Sequence, residues 1–378
     1  MAITVKALDA SSKKELTRFI EFNYRLYRHS PYAVPEMYDD LLSVLDPKRN
    51  AAYDFCEAQF FMAYDGEKPV GRVAAIINKV ANETWNTKTV RFGWVDFVDD
   101  EAVSQALFDA VIGWGKERGM DTIEGPLGFT DFDREGMLIE GFDQLSTMAT
   151  HYNYPYYPQH MEKMGFGKAV DWVEYKIYAP KEIPDKHRRV CELVRNRYHV
   201  HLLKYDSRKK LAAERGEEIF QLLNEAYAPL HGFSHLNDHQ IQQYIKQYLG
   251  IVDLRLIPMV ADENDRLIGI GIMMPSLSKA LQRGRGARHL WGYLPLAWSL
   301  FVKHPKNTDL LLVAVKPEYQ NKGINALLFE DLIPTYQKLG YEYAESNPEL
   351  ETNNPVQSMW DYFDHTQHKR RRAWTKSI

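Results

Sequence analysis

The chain has 378 residues, 45% of them hydrophobic and 26% charged, with a formal net charge of −4. That composition excludes a disordered chain, the length fits two domains of about 150 residues each, and the slight acidity gives no general basis for nucleic-acid binding. Two cysteines, Cys56 and Cys191, stand far apart in no metal-ligating spacing and read as buried small hydrophobes in a reduced compartment. The N-terminus lacks the apolar core of a signal peptide and no run reaches the ~20 apolar residues of a membrane span, so a cytoplasmic protein is expected.

In chain order, the first half opens with a short alternating strand at 3–8. Ser12-Lys13-Lys14-Glu15 then carries the pattern of a capping box opening a helix toward Tyr27. Pro31 and Pro35 break that helix, and a second short one fits 37–45. Residues 57–64 and 69–78 alternate like two strands joined by Asp65-Gly66-Glu67-Lys68, a hairpin signal, and 89–98 is a further strand. From Asp100 the apolar residues Val103, Leu107, Ala110, Val111 and Trp114 recur at helical spacing, with Gly119 in a C-cap position. A strand at 121–125, an irregular stretch rich in glycine and acids at 126–153, a short helix at 158–164 and a strand at 171–178 complete this half. The irregular stretch reads as a substrate-facing loop or as a structural cover over the sheet.

Pro180 and Pro184 mark a boundary that divides the chain into domains 1–180 and 181–378. After a preliminary helix at 185–197 the same order returns: a strand at 200–205, helices at 209–227 and 238–249, and a hairpin of 254–261 with 267–274. Gly71 of the first hairpin matches Gly269 of the second. The second half then inserts 275–307. Within it residues 290–302 are apolar and flanked by Arg283, Arg285, Arg288 and Lys303, which fits burial between the domains or peripheral contact with a membrane.

The apolar run 310–315 leads into Val315-Lys316-Pro317-Glu318-Tyr319-Gln320-Asn321-Lys322-Gly323-Ile324-Asn325 and then into residues with helical spacing. Strand, tight turn and helix leave unpaired N–H groups at a helix N-terminus, where the dipole favours a phosphate, and Gly323 lets the chain come close to one. The pattern Val-x-Pro-x-Tyr-Gln-x-x-Gly-Ile resembles the acyl-CoA pyrophosphate loop of the GNAT (GCN5-related N-acetyltransferase) superfamily, with Asn325 where that loop has Gly or Ala. The order of elements in both halves is the GNAT order. Gly125-Pro126, Gly141-Phe142-Asp143 and Asn153-Tyr154-Pro155-Tyr156-Tyr157 further resemble a bacterial group of tandem-GNAT proteins.

The resemblance implies an α/β (α+β) fold of two tandem GNAT-like domains, each a mixed, mostly antiparallel twisted sheet flanked by helices. It also implies acetyl-CoA or another acyl-CoA as substrate. Main-chain groups of Val313 and Val315 would pair with the pantetheine arm, and Gln320, Lys322, Gly323, Ile324 and Asn325 would hold the pyrophosphate. Asn353 matches the Asn that caps the fourth helix and touches the cofactor. The Tyr that protonates the leaving thiolate in the family is replaced by Trp360, with Tyr362 on the next turn. Amide formation needs a base, for which Glu345 and Glu351 are the candidates. The first half has Asp96, Asp99, Asp100 and Glu101 where a pyrophosphate cradle would stand, and no glycine, so it is not expected to bind CoA.

No metal is expected. Asp131-x-Asp133-x-Glu135-Gly136 opens like a calcium loop but has Phe142 at the twelfth position, and glycine and turn residues separate His231, His235 and His239. Lys369-Arg370-Arg371-Arg372 reads as a solvated edge of the last strand, and no nucleic-acid partner follows from it. The leading reading is an N-acyltransferase that joins an acetyl or longer acyl group to a small-molecule or lipid amine. The alternatives are a Fem-type transferase using aminoacyl-tRNA and a non-catalytic acyl-CoA-binding protein.

Overall fold

Local signals set the first elements. In the computed structural model, which describes residues 3–250 and 252–378, β1 (Ile3–Ala7) precedes α1 (Lys13–Leu26). Ser12 Oγ accepts from the Glu15 N–H at 3.4 Å, but the Glu15 carboxylate reaches the Asp9 N–H at 2.7 Å, so the cap is wider than the expected box. After α2 (Tyr38–Leu45), β2 (Cys56–Asp65) and β3 (Lys68–Asn78) form the hairpin, with Gly66 at φ 61° in its turn. Next come α3 (Lys79–Trp85), β4 (Thr89–Phe97), α4 (Glu101–Lys116), β5 (Thr122–Gly125), β6 (Met137–Glu140), α5 (Tyr156–Lys163) and β7 (Gly167–Tyr178).

The second half repeats the scheme. It runs α6 (Asp185–Tyr198), β8 (His201–Leu203), α7 (Arg208–Tyr227), α8 (Asp238–Tyr244), β9 (Met259–Ala261) and β10 (Leu267–Pro275). Then come α9 (Ser278–Gly284), α10 (Tyr293–Phe301), β11 (Asn307–Val315), α11 (Ile324–Leu339), β12 (Tyr343–Ser346), β13 (Glu349–Leu350), α12 (Asn354–Gln357) and β14 (His365–Ser377). The strand expected over 254–261 forms only at its end: the Asp253 carboxylate accepts from the Arg255 N–H at 3.0 Å and starts a 3₁₀ turn at Leu254–Leu256 instead.

The chain folds into two compact units. One comprises Met1–Val173, Leu277–Lys303 and His368–Ile378, the other Glu174–Ser276 and His304–Gln367. In the first unit the strands follow the order β1-β2-β3-β4-β5-β14-β7; from β1 to β14 neighbours are antiparallel except for the β4–β5 pair. In the second the order is β7-β12-β11-β10-β9-β8, with only β11–β12 parallel. Each sheet therefore takes one strand from the tail of the other half of the sequence: Trp374 lies opposite Gly125, and Tyr178 opposite Tyr343.

That exchange overturns the reading of the basic run as a solvated edge. With β14 inside a sheet, Lys369 and Arg371 are buried, Arg372 Nε donates to Asp171 at 2.7 Å and Arg371 Nη1 to the His151 carbonyl at 2.6 Å. Within the irregular stretch 126–153, Thr130, Ser146, Thr147 and Thr150 are buried, and the Asn153 amide bonds both the N–H and the carbonyl of Leu138, at 2.7 and 3.0 Å.

The matched glycines do the same work in each unit. Gly71 lies opposite Phe97, the last residue of β4, and a Cβ there would meet Leu107 of α4 at 2.7 Å. Gly269 lies opposite Val315, the last residue of β11, and a Cβ there would meet Ile324 of α11 at 2.9 Å. Both let the helix that follows the fourth strand press onto the third.

Candidate active site

In the second unit β11 and β12 begin side by side and then part. Their parallel pairing runs from Asn307 opposite Tyr343 to Leu310 opposite Ser346 and stops there. Asn347 closes the vertex, its N–H bonding Leu310 O at 3.0 Å and its side-chain amide Leu311 O at 2.8 Å. Beyond that point the edge of β11 turns toward the gap. Gly271, opposite Val313, sends its N–H to Pro258 O at 3.0 Å, so Val313 and β10 exchange no hydrogen bonds. By the same alternation the main-chain groups of Val313 and Val315 point away from β10. The hydroxyl of half-buried Tyr227 donates to Val313 O at 3.2 Å, and Gln320 Nε2 to Val315 O at 3.1 Å.

The gap leads to the loop. Pro317–Tyr319 forms a 3₁₀ turn, Asn321 and Gly323 adopt φ of 59° and 79°, and α11 starts at Ile324 with no side chain bonded to its first amides. Gly323 also lies close over α6, since a Cβ there would stand 2.9 Å from Val194 Cγ2. Lys322 Nζ sits 5.3 Å from the ring centres of Tyr198 and Tyr319. Ile324 is buried and Asn325 half-buried in the first turn.

The corresponding place in the first unit is filled by the protein's own acids. The Asp100 carboxylate caps α4 by accepting from the Ala102 N–H at 2.8 Å, Glu101 pairs with Lys163 at 2.5 Å, and Asp99 lies 3.0 Å from His160 Nε2. Asp96 is buried against Arg72 at 2.7 Å and accepts from Tyr27 and Asn23. A diphosphate would meet these carboxylates instead of free amides.

Glu345 is buried on β12 between Asp309 and Lys176 of the flanking strands, and Glu351 is half-buried after β13. Asn353 occupies the N-cap position of α12 without a side-chain cap bond. Tyr362 is half exposed and turned toward α6, its ring 6.2 Å from that of His187 and 5.9 Å from Lys186 Nζ.

Sequence reasoning missed Glu349. Its carboxylate accepts from Trp360 Nε1 at 3.1 Å on both oxygens, and Trp360 is itself buried, edge-on to Phe329. Burial pushes the Glu349 carboxyl up to about 7, against the hydrogen bonds from Trp360 and Ser346, and the neighbouring Glu174 adds to the rise. Glu349 also lies near enough to Tyr227 to help hold that phenol protonated, after burial and against its bond to Val313. Trp360 therefore stands at the matched Tyr position as the donor that orients a carboxylate. With Leu310, Ala344, Phe329 and Phe363 it also lines a small apolar pocket of about 40 Å³. No signal in the sequence separated Glu349 from its neighbours, since its environment is made by Trp360 and Glu174, which are distant along the chain.

No protein-family model matches the chain. A bacterial ceramide synthase of Caulobacter vibrioides (strain NA1000 / CB15N) is 25% identical over 383 aligned residues, covering 99% of this chain and 98% of its own. Protein YghO of Escherichia coli (strain K12) is 25% identical over 372, covering 97% and 94%. Among solved structures, a tandem GNAT protein from the clavulanic acid biosynthesis pathway superposes over 99% of this chain and 98% of its own, with a TM-score of 0.56 at 11% identity. With the strand orders, the splayed pair and the duplicated glycines, that likeness establishes the fold: the chain has the tandem GNAT fold.

Proposed function

We propose that the protein is an acyl-CoA-dependent N-acyltransferase whose second unit joins an acyl group to the amine of a long-chain lipid. Glu349 carries this reading: a half-buried carboxyl pushed up to about 7, beside a splay whose strand edge suits a thioester. A ceramide is the amide of a fatty acid with a long-chain amino alcohol, so the name of the Caulobacter relative points to a long-chain amine as acceptor.

In this reading Val313 and Val315 pair with the pantetheine arm as an added strand would, and the amides of residues 320–325 hold the pyrophosphate, with Lys322 adding charge and Asn353 flanking the arm. Glu349 takes one proton from the ammonium. The freed nitrogen attacks the thioester carbon, and the Val315 N–H bears the developing oxyanion. Collapse breaks the C–S bond, and the thiolate takes the second nitrogen proton, leaving the amide and free CoA. Trp360 has no proton of suitable pKa to give, so the acid role does not fall to it.

The test is CoA release from acyl-CoA donors with amines ranging from short soluble ones to long-chain amino alcohols. Glu349→Gln is expected to lower kcat by about 100-fold or more while acyl-CoA binding persists. Glu345→Gln and Glu351→Gln belong in the same assay: if either abolishes turnover while Glu349→Gln retains it, the base is misassigned. Acyl-CoA binding with no turnover on any amine would instead favour a binding protein.

A further inference from the structure

The segment Leu277–Lys303 interrupts the second half of the sequence yet belongs to the first unit, where it is firmly mounted. Gln282 Nε2 donates to Pro31 O at 3.0 Å and Ala33 O at 2.8 Å, the Tyr293 hydroxyl to Asp39 at 2.9 Å, and Arg288 pairs with Glu21. Gly284 and Gly292 close the turn between α9 and α10 so tightly that a Cβ on Gly284 would stand 2.3 Å from Gly292 O. On this base Leu290, Trp291, Leu294, Trp298, Phe301 and Val302 are 57–83% exposed, and Leu296 is the buried residue of α10.

We propose that this face docks on an anionic lipid bilayer. An apolar patch of this size on a rigid mount is a binding surface, because folding has left its area in water. Its rim decides the partner. The segment itself has no Asp or Glu from Arg266 to Thr308, and the mount's Glu21 and Asp39 are engaged by Arg288 and Tyr293, while Arg283, Arg285 and Lys303 are exposed in a chain of net charge −4. A second copy meeting this face across a two-fold axis would set those cations against themselves, whereas anionic headgroups complement them. From Leu290 to Phe301 the helical path is about 18 Å, too short to cross a bilayer core of about 30 Å, so it lies along the interface with its tryptophans at headgroup depth. This goes beyond the acyltransferase reading and stands whether or not that reading holds.

The experiment is co-sedimentation of the full chain with vesicles of phosphatidylcholine alone or mixed with phosphatidylglycerol, at low and high salt. Binding is expected on the mixed vesicles and should weaken with salt. Trp291→Ser with Trp298→Ser should lower it by about tenfold or more, and Arg283→Gln or Arg285→Gln by about fivefold each on mixed vesicles. All these side chains are exposed, and unchanged thermal unfolding with an unchanged far-UV circular dichroism spectrum confirms that the variants are folded. The proposal is overturned if the chain ignores both vesicles, if the tryptophan pair leaves binding unchanged, or if the face instead drives dimerisation that Trp298→Ser abolishes.

Discussion

Trp360 and Glu349 act as one unit. The indole N–H reaches both carboxylate oxygens, and of the influences on that carboxyl it is the largest that opposes burial. Trp360→Phe removes the donor and keeps the ring against Phe329, so the Glu349 carboxyl should titrate above about 7 and the rising limb of kcat/KM should move to higher pH. The same carboxyl bears on stability. Its value rises from the ordinary 4.5 to about 7 on folding, so the folded state holds the proton more tightly. The stability this contributes is fully present below about pH 4.5 and is lost as the pH rises through 7. Glu349→Gln keeps a neutral side chain at all pH values and should therefore gain stability over the parent at pH 8 relative to pH 5, read from urea unfolding at both. Asp133, also raised to about 7 by burial, titrates in both proteins and cancels from the comparison.

The two helices that follow the fourth strands, α4 and α11, are the same element with different N-termini. α4 is capped by Asp100, whereas α11 follows Gly323 at φ 79° with no side-chain cap. Asp100→Ala should cost about 1 kcal/mol of stability and should not create acyl-CoA binding, because Glu101, Asp99 and Asp96 remain around that terminus. Gly323→Ala places a Cβ at a left-handed residue and 2.9 Å from Val194 Cγ2. It should cost about 1–2 kcal/mol and weaken acyl-CoA binding, measurable by calorimetric titration alongside thermal unfolding. Both termini could be read from the sequence, since glycine against acid at a helix start is a local difference. The short 3₁₀ turn at Leu254–Leu256 could not, because the Asp253 carboxylate, bonded to both the backbone N–H and the guanidinium of Arg255, outweighs a strand pattern.

For the whole molecule the exchange of tail strands is the decisive feature. A chain ending at Gln367 removes the strand that pairs with β5 and β6, and with it the buried Trp374 and Arg371. The first unit should then become sensitive to limited proteolysis and lose cooperative unfolding, while adding residues 368–378 as a peptide should restore protection. The amino-acid sequence by itself determined most of the elements, the duplication, and the difference between one helix terminus that follows a glycine with no side-chain cap and one capped by acids. Those properties depend on hydrophobic period, turn chemistry and charge within a few residues. Only the tertiary structure decided that Lys369 and Arg371 are interior, that Leu290, Trp291 and Phe301 are exposed, and that Glu349 is a carboxyl raised toward neutrality. A strand's alternation does not say which of two similar sheet edges receives it, and a carboxyl's pKa is set by neighbours the chain brings together only on folding.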